Sequence, residues 1–417
     1  MSSLPSKTIF KYYCYKATTS PGFMWPVYTL FLLLRGLSFT QIGITGTATA
    51  LAAIIGEIPT GYVGDRIGRR NSLIISQLLF ASVPAGLVIS HSFPAFLLVF
   101  SLLGIAETFQ TGSGDAWLYD TLDDKEKTEL FTHIRGRGGA IRKWVGAGTM
   151  IAGGVLYTVE PTYPFIAATI LSTFGAVVLV TLPKSSNYAS DEDTAAFRTV
   201  DAFVAVRKQL SQPPLRSFVI YISLLFAVIR ASEEFIQPIT ANAIDGYLTS
   251  NVFFGYMLPE EVALGVMYAA FTVVSAVASD YASNARQLLG LRRVVLAVPI
   301  VTSLLMLFPI IVPVFVVPVF FVMQSAKSLM RPITNQYIND NAQSFGRATV
   351  LSAVSMVYAL MTIPFMLLGG VAADTWEPVV AVTAIGVLFL AAAALSYVWE
   401  SPISKSTTDT SVDKSTN

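Results

Sequence analysis

The chain has 417 residues, of which 53% are hydrophobic and only 13% are charged, and its mean hydropathy is +0.62. A soluble domain carries roughly twice that fraction of charged residues, so the composition excludes a cytosolic enzyme, a disordered chain, a collagen-like rod and a disulfide-stapled secreted module. Long apolar runs also disfavour an outer-membrane barrel, and a net charge of +1 leaves no basic surface for nucleic acid. The composition indicates an all-α polytopic membrane protein.

Runs of about 20 apolar residues, the length that crosses a bilayer, predict twelve transmembrane helices in two blocks of six. The first six lie near residues 10–34, 41–63, 73–90, 95–117, 138–158 and 163–182. The second six lie near residues 217–240, 260–280, 293–311, 313–337, 348–369 and 377–398.

The predicted domains follow from these runs. An N-terminal six-helix bundle covers residues 1–183, and a C-terminal six-helix bundle covers residues 217–400. A polar cytoplasmic linker, 184–216, joins them and carries a short predicted surface helix near 196–210, and we expect the tail, 401–417, to be disordered. A shift of 220 positions overlays Glu107 on Lys327 and Asp120 on Asp340. The two halves are therefore predicted to be pseudo-symmetric repeats.

Lysine and arginine residues are distributed unequally between the two sets of loops. With the N-terminus in the cytoplasm, the loops on that side receive most of the basic residues, and the outer loops receive only Arg35. Positive charge marks the cytoplasmic side, so we expect both termini in the cytoplasm and the chain in the plasma membrane. The start of the chain is polar and has no apolar signal-peptide core. Cys14, His91 and His133 form no ligand cluster, so neither a metal nor a cofactor is expected.

The loop between predicted spans 2 and 3 reads GYVGDRIGRR over residues 61–70. Gly68 permits a tight reversal, and the three arginines of the loop hold it on the cytoplasmic side. The pattern G-x-x-x-D-R-x-G-R-R resembles motif A of the major facilitator superfamily, and the resemblance extends to the span count, the two halves and the linker. It implies the twelve-helix fold of that family.

The resemblance also implies a conformational latch. In that family the motif holds the outward-open state against the second half, and the residues that match it here are Gly61, Asp65, Arg66, Gly68, Arg69 and Arg70. The equivalent second-half loop, from Asp280 to Arg293, keeps an acid and several bases but has lost the glycine pattern, which predicts a one-sided latch.

The sequence departs from other motifs of the family at two positions. Glu107 stands where the family has an arginine in span 4, and Met150 stands where its antiporters have a proline, so a drug/proton antiporter is not assigned by name.

Ionisable residues inside the predicted spans are concentrated in a few helices. Each costs at least about 2.5–3.5 kcal/mol in hydrocarbon, so each should face a cavity or a partner. They occur in spans 1, 4, 7 and 10, with Glu57 in span 2, and the interiors of spans 3, 6, 9 and 12 have none. Arg142 and Lys143 of span 5 lie at membrane depth or at a helix end. This distribution predicts a central polar pathway, and the resemblance places the same four helices around the transport cavity.

Helical spacing groups the candidate residues of the solute and proton pathway on shared faces. They are Glu107, Gln110 and Asp115 in span 4, Arg230, Glu233 and Glu234 in span 7, and Lys327, Arg331 and Asn335 in span 10, with Trp25 and Tyr28 as walls. Arg230 could neutralise one of its two acids, and Glu107 could pair with Lys327. An acid left without a partner would be pushed toward protonation by burial, so Glu107 or one of the Glu233/Glu234 pair is the candidate proton carrier.

The sequence therefore predicts a monomeric, proton-coupled secondary transporter that works by alternating access within the lipid bilayer. Mixed charge with aromatic residues favours export of amphipathic compounds. Uptake of an anionic metabolite and a non-transporting receptor or scaffold are the alternatives. There is no Walker-type loop for ATP and no nucleophile, base or metal constellation for an enzyme.

Overall fold

A computed structural model describes residues 7–19, 22–111, 113–123, 127–184, 212–248, 259–341, 347–400 and 402–403. The helices of the first half are α1 (Lys7–Thr18), α2 (Tyr28–Leu34), α3 (Phe39–Ile67), α4 (Arg69–Ile89), α5 (Phe93–Gln110), α6 (Ser113–Asp123), α7 (Phe131–Val159) and α8 (Tyr163–Val180). Those of the second half are α9 (Pro213–Glu233), α10 (Ile236–Leu248), α11 (Glu260–Asp280), α12 (Ala282–Leu289), α13 (Leu291–Leu305), α14 (Val316–Asn341), α15 (Arg347–Thr375) and α16 (Pro378–Trp399).

The described residues contain helices and no strands, and nine helical stretches among them are long and apolar enough to cross a membrane. These nine coincide with predicted spans 2, 3, 4, 6, 7, 8, 9, 11 and 12. The other three predicted spans contain α1 with α2, α7, and α14, which are shorter or carry more charge. The fold is an all-α membrane protein, as predicted. Most of the predicted linker, including its surface helix, and most of the tail lie outside the described residues.

Three predicted spans are broken where the sequence predicts a continuous helix. Span 1 is divided into α1 and α2, span 4 is interrupted near Thr111 between α5 and α6, and span 7 turns at Glu234 between α9 and α10. A broken membrane helix is tolerated where neighbouring groups satisfy the freed backbone or where it lines a cavity. These interruptions therefore lie on three of the four helices predicted to surround the pathway.

Glycines with positive φ reverse the chain at equivalent places in the two halves. Gly68 (φ 88°) separates α3 from α4, and Gly290 (φ 78°) separates α12 from α13. Glycine adopts this conformation without the steric cost of a Cβ. The second-half loop lacks the glycine spacing of motif A, yet its Gly290 makes a reversal equivalent to the one at Gly68. The eight-residue helix α12 places Gly290 farther from Asp280 than Gly68 lies from Asp65.

The two halves approach most closely at the end of the bundle that carries Phe39, called here the Phe39 end. A Cβ on Gly154 of α7 would lie 2.2 Å from the Glu261 carbonyl oxygen of α11, and one on Gly370 of α15 would lie 2.6 Å from the Phe39 carbonyl oxygen. Asp374 adds a polar contact, because its carboxylate accepts hydrogen bonds of 2.8 Å from the backbone amides of Phe39 and Thr40. These contacts join the two halves at the Phe39 end.

The opposite end, which carries the motif loop and is called here the Arg69 end, is packed differently. Gly136 and Gly139 lie on α7 near this end and Gly148 lies farther along it, and an added Cβ at any of them would meet nothing within 4 Å. Gly61 of the motif is equally open. Gly154 and Gly370 therefore form close helix contacts between the two halves. The open glycines of α7 and the motif loop form no such contacts with the described residues.

Candidate functional site

A cavity of about 420 Å³ lies between the two halves. Its walls come from predicted spans 1, 2, 4, 5, 7, 8, 10 and 11, and they combine apolar side chains with a few charged ones. The polar and aromatic lining residues that concern function are Trp25, Tyr28, Thr49, Glu107, Arg230, Glu233, Tyr268, Gln324, Lys327 and Thr362. Such a mixture of apolar wall and few polar groups is typical of a small-molecule site.

The first polar network of the cavity joins α9 to α2. Arg230 donates a 2.6 Å hydrogen bond to Glu234, which lies four residues later at the C-terminal end of α9. The hydroxyl of Tyr28 donates to the other carboxylate oxygen of Glu234. Glu234 is buried, and its carboxylate is held by one cation and one hydroxyl, so its charge is compensated within the network.

The second network joins α9 to α14. Lys327 donates a 2.5 Å hydrogen bond to Glu233, and Gln324 donates a 3.0 Å hydrogen bond to the same oxygen. Arg230 lies 3.9 Å from the other oxygen of Glu233. Glu233 and Glu234 thus face two cations, and the expected surplus acid of span 7 is not present in this arrangement.

Glu107 makes no ion pair with a described residue, although Arg230 lies within electrostatic reach of its carboxylate. It lines the cavity and is exposed to it, and its carboxylate has no hydrogen bond or ion pair to any part of the chain that the structure describes. The alternative in which Glu107 pairs with Lys327 is not realised, because Lys327 binds Glu233. With Glu234 counted beside the described lining residues, three acids face two cations, and Glu107 is the acid of this set that has no ion pair.

Gln237 of α10 connects the second half to the break in span 1. Its amide nitrogen donates to the Trp25 carbonyl oxygen at 2.8 Å, and its side-chain oxygen accepts a 2.8 Å hydrogen bond from the Thr29 amide. It satisfies backbone groups that the interrupted helix leaves free. The ring of Trp25 packs edge-on against Tyr28 at 5.6 Å, which fixes one aromatic wall.

The remaining candidates of the predicted pathway lie elsewhere. Asp115 is paired with Arg135 of α7 at 2.7 Å, and Gln110 bonds to the hydroxyl of Tyr15. Arg331 and Asn335 are exposed on the face of α14 that continues from Lys327 toward the Arg69 end. None of these four side chains lines the cavity. They lie farther along α5, α6 and α14 than the polar residues that do line it.

The motif loop contacts its own half in this structure. Arg69 pairs with Asp120 of α6 at 3.3 Å, and Arg70 donates a 2.9 Å hydrogen bond to the Leu182 carbonyl oxygen. Arg66 and Gly68 line a small basic pocket beside them, while the side chain of Asp65 lies outside the described part. The second half repeats the arrangement, since Arg286 approaches Asp340, the residue overlaid on Asp120, at 3.9 Å.

Two lining residues were missed by the sequence analysis. The Tyr268 hydroxyl oxygen accepts a 3.2 Å hydrogen bond from the Gln237 amide nitrogen, and Gln324 donates a hydrogen bond to Glu233. Gln324 lies three residues before Lys327 on the same helical face, so the spacing could have identified it. Tyr268 lies in a mostly apolar span without a charged residue within one helical turn, so no pattern of charges indicated a role for it. Among the described residues no three His, Cys, Asp or Glu side chains converge as metal ligands would.

Comparison with known proteins places this geometry in a family. The model of the Major Facilitator Superfamily matches residues 17–281. The transporter YqjV of Bacillus subtilis (strain 168), named as an uncharacterized MFS-type transporter, is 23% identical over 176 residues, which is 42% of each chain. YxaM of the same organism, named likewise, is 23% identical over 151 residues, or 36% of this chain and 37% of the relative. The chain thus spans less than half the length of these relatives.

Solved structures agree in fold over nearly the whole chain. A crystal structure of a variant of the nucleoside transporter NupG has a TM-score of 0.77 at 13% identity and covers 94% of this chain and 98% of that one. The D-xylose-proton symporter has a TM-score of 0.61 at 14% identity, covering 94% and 95%. At such identities the likeness concerns the fold alone. With the family match over residues 17–281, it establishes that this chain is a multi-pass membrane protein that belongs to the Major Facilitator Superfamily.

Proposed function

We propose that this chain is a proton-coupled secondary transporter in which Glu107 carries the proton. The observation that supports this assignment is the charge balance of the cavity. Arg230 and Lys327 form ion pairs with Glu234 and Glu233, and Glu107 faces the cavity without an ion pair to a described residue. A lone carboxylate in a low-dielectric setting exchanges its charge for a proton more readily than an ion-paired one.

The proposed cycle is alternating access around the midplane cavity. The glycine contacts and Asp374 hold the Phe39 end together, whereas the open glycines of α7 support a pathway toward the Arg69 end. The distribution of Lys and Arg supports a cytoplasmic Arg69 end, both termini in the cytoplasm and a plasma-membrane location. In the reverse state the motif loop would latch against the second half. We propose a monomer as the working unit.

For the solute we propose a small amphipathic compound, and we retain export as the direction. Trp25 and Tyr28 supply an aromatic wall, and Leu103, Met150 and Met366 supply aliphatic and thioether surface in the same cavity. Uptake of an anionic metabolite is the second candidate. The pairing of Lys327 with Glu233 weakens the argument for it at the centre of the cavity, because the cation is already engaged.

The first experiment identifies a usable solute. Thermal unfolding of the purified protein is followed across a library of amphipathic amines, organic acids, nucleosides and sugars, and a binding solute raises the midpoint. Flux of that solute is then measured in proteoliposomes with and without an imposed pH gradient. The wild type is expected to concentrate the solute only with the gradient, in one direction.

Glu107→Gln then tests the proton role. The variant is expected to bind the solute and exchange it at equal pH, but to lose the gradient-driven component. Glu377→Gln, an exposed acid beyond the cavity, is the matched control and should behave as the wild type. Unchanged gradient-driven flux in both Glu107→Gln and the double variant Glu233→Gln/Glu234→Gln would refute proton coupling through these acids.

A further inference from the structure

A second polar cluster lies outside the cavity, where α1, α6 and α7 meet. We propose that Lys16, Arg142 and the hydroxyl of Tyr12 form a binding site for a small oxyanion, meaning a carboxylate or phosphate group. The proposal does not depend on proton coupling by Glu107, and it rests on groups that the cavity networks leave unused.

The cluster carries more positive than negative charge. Lys16 lies within electrostatic reach of Arg142, Arg135 and Asp115, so three cations face one carboxylate. Asp115 is already bound by Arg135 through two contacts, at 2.7 Å and 2.8 Å. Two cations of the cluster are left without a salt bridge.

The two unused cations are Lys16 and Arg142. The Lys16 ammonium lies over the rings of Tyr12 and Tyr15 at 5.6 Å and 6.0 Å, and it has no carboxylate within ion-pair distance among the described residues. Arg142 is exposed and makes no hydrogen bond or ion pair with any described group. Two like charges held close together without counter-ions repel each other, so an anion between them would relieve the repulsion.

Tyr12 supplies the independent observation. Its side chain is only 1% exposed, yet its hydroxyl is buried and has no hydrogen-bond partner in the described structure. Buried hydroxyls are nearly always bonded. The ring stacks on Trp117 at 6.0 Å, which fixes its direction.

Gly138 of α7 packs closely against the side chains of both Tyr12 and Lys16. A Cβ at position 138 would lie 3.4 Å from the Tyr12 hydroxyl oxygen and 3.1 Å from Cγ of Lys16. The hydroxyl and the Lys16 side chain therefore converge on the same face of α7, which also carries Arg135 and Arg142 on the adjoining turns. The neighbouring hydroxyl of Tyr15 is already bonded to Gln110.

The chemistry of the unused groups selects the ligand class. An ammonium and a guanidinium have only donors, and the Tyr12 hydroxyl has a donor to give. Donors of this kind match the oxygens of a carboxylate or phosphate, and the planar guanidinium can bind two of them at once. A metal cation would be repelled, and a neutral solute would leave the two charges uncompensated.

The place of the cluster allows two sources for the oxyanion. Gln110, which holds Tyr15, lies one turn from Glu107 on α5, so the cluster lies beyond the cavity toward the Arg69 end. An anionic group of a passing solute could bind there. The phosphate of an anionic lipid could also reach it, since basic pockets between membrane helices bind such headgroups.

Binding to the site is measured as the rise in the thermal unfolding midpoint of the protein in a neutral detergent. Inorganic phosphate and succinate are the probes, and chloride at equal ionic strength is the reference. For the wild type we expect saturable stabilisation by phosphate or succinate and none by chloride. Lys16→Gln and Arg142→Gln should each weaken apparent binding by about tenfold or more, the effect of one charged hydrogen bond. Lys143→Gln, which removes an equal charge at the adjacent position, should retain full binding.

Tyr12→Phe distinguishes a ligand site from a structural cluster. Because the hydroxyl has no described partner, its removal should leave the midpoint without probe unchanged while weakening probe binding several-fold. A loss of basal stability with unchanged probe binding would assign the hydroxyl to an internal partner and overturn its role. This variant also keeps the proposal testable if a charge substitution prevents folding.

Nanodiscs separate the two sources. Protein in phosphatidylcholine alone is compared with protein in mixtures containing phosphatidylglycerol, with and without phosphate. Stabilisation by phosphatidylglycerol alone, lost in Lys16→Gln and Arg142→Gln, identifies a lipid phosphate as the ligand, and stabilisation by soluble probes identifies a free anion. No stabilisation by any of them, or equal stabilisation in every variant including those at Lys16 and Arg142, overturns the proposal.

Discussion

Lys327 of α14 donates a 2.5 Å hydrogen bond to Glu233 of α9, so this ion pair lies entirely within the second half. The pseudo-symmetric overlay suggested Glu107 of the first half as its partner. The difference arises because α9 presents Glu233 to α14, while α5 lies across the cavity. As a result, Glu233 and Glu234 of the second half are matched by Arg230 and Lys327, and Glu107 is the one acid of this group of five that makes no ion pair with a described residue.

The first prediction concerns the pair itself. Lys327→Gln or Glu233→Gln alone leaves a partly buried charge without its partner, and we expect each to destabilise the protein by about 1–3 kcal/mol, below the range for fully buried pairs because both side chains are partly exposed. The double variant should recover most of the loss. Thermal unfolding midpoints of all four proteins test this, and a double variant as unstable as the sum of the singles would contradict the pairing.

The second prediction concerns the close contact between α7 and α11. Gly154→Leu cannot be accommodated without moving a backbone carbonyl, so it should separate the halves at the Phe39 end and disfavour this conformation. Gly148→Leu, on the same helix but facing open space, is the control. In a Cys14→Ser background, Thr362→Cys reports the cavity, and its labelling by an impermeant maleimide from the Arg69 side should fall only with Gly154→Leu. Equal labelling in both variants would rule out this closure.

The third prediction concerns Asp374, which caps α3 from the other half. Loss of a helix cap costs about 0.5–2 kcal/mol, and here the cost falls on one conformation only. Asp374→Ala should therefore shift the Thr362→Cys labelling in the same direction as Gly154→Leu but by less. Glu377→Ala provides the matched control near the same helix end. Labelling that Asp374→Ala leaves unchanged would mean that the cap does not bias access.

The fourth prediction concerns Glu400, which follows the last helix. Hydrogen bonds from Ser217 and Arg216 lower the pKa of this carboxyl below its usual value. A lowered pKa contributes stability above the unfolded value of about 4.3, and the contribution is lost as the pH falls through the folded value. The midpoint difference between the wild type and Glu400→Gln should therefore be largest at neutral pH and shrink below about pH 4. A pH-independent difference would contradict the assignment.

The class of fold follows from the sequence with little ambiguity. Apolar runs of bilayer length leave few alternatives to membrane helices, and the glycine and arginine pattern at Gly61–Arg70 identified the family. The interruptions at Thr111 and Glu234 were not predictable, because hydropathy measures the apolar content of a segment and does not report where a helix breaks.

The sequence predicted which residues belong to the candidate site only from the free energy needed to place a charged side chain in hydrocarbon. Glu107, Arg230, Glu233 and Lys327 were selected because charge in hydrocarbon requires a cavity or a partner, and the structure brings all four to one cavity. Helical spacing within one span says nothing about which residue of another span lies opposite. Asp115 therefore looked equivalent to Glu107, although Arg135 of the next span binds it.

The sequence by itself determined that this chain spans a membrane and that the charges inside its spans need a cavity or a partner. Those properties depend on composition and order along the chain, because the transfer free energy of each residue into lipid is a local quantity. Only the tertiary structure decided which charges pair with each other and where the two halves are in close contact. Coulomb attraction and close packing act between atoms a few ångströms apart, and residues so near in space are separated by up to hundreds of positions in the chain.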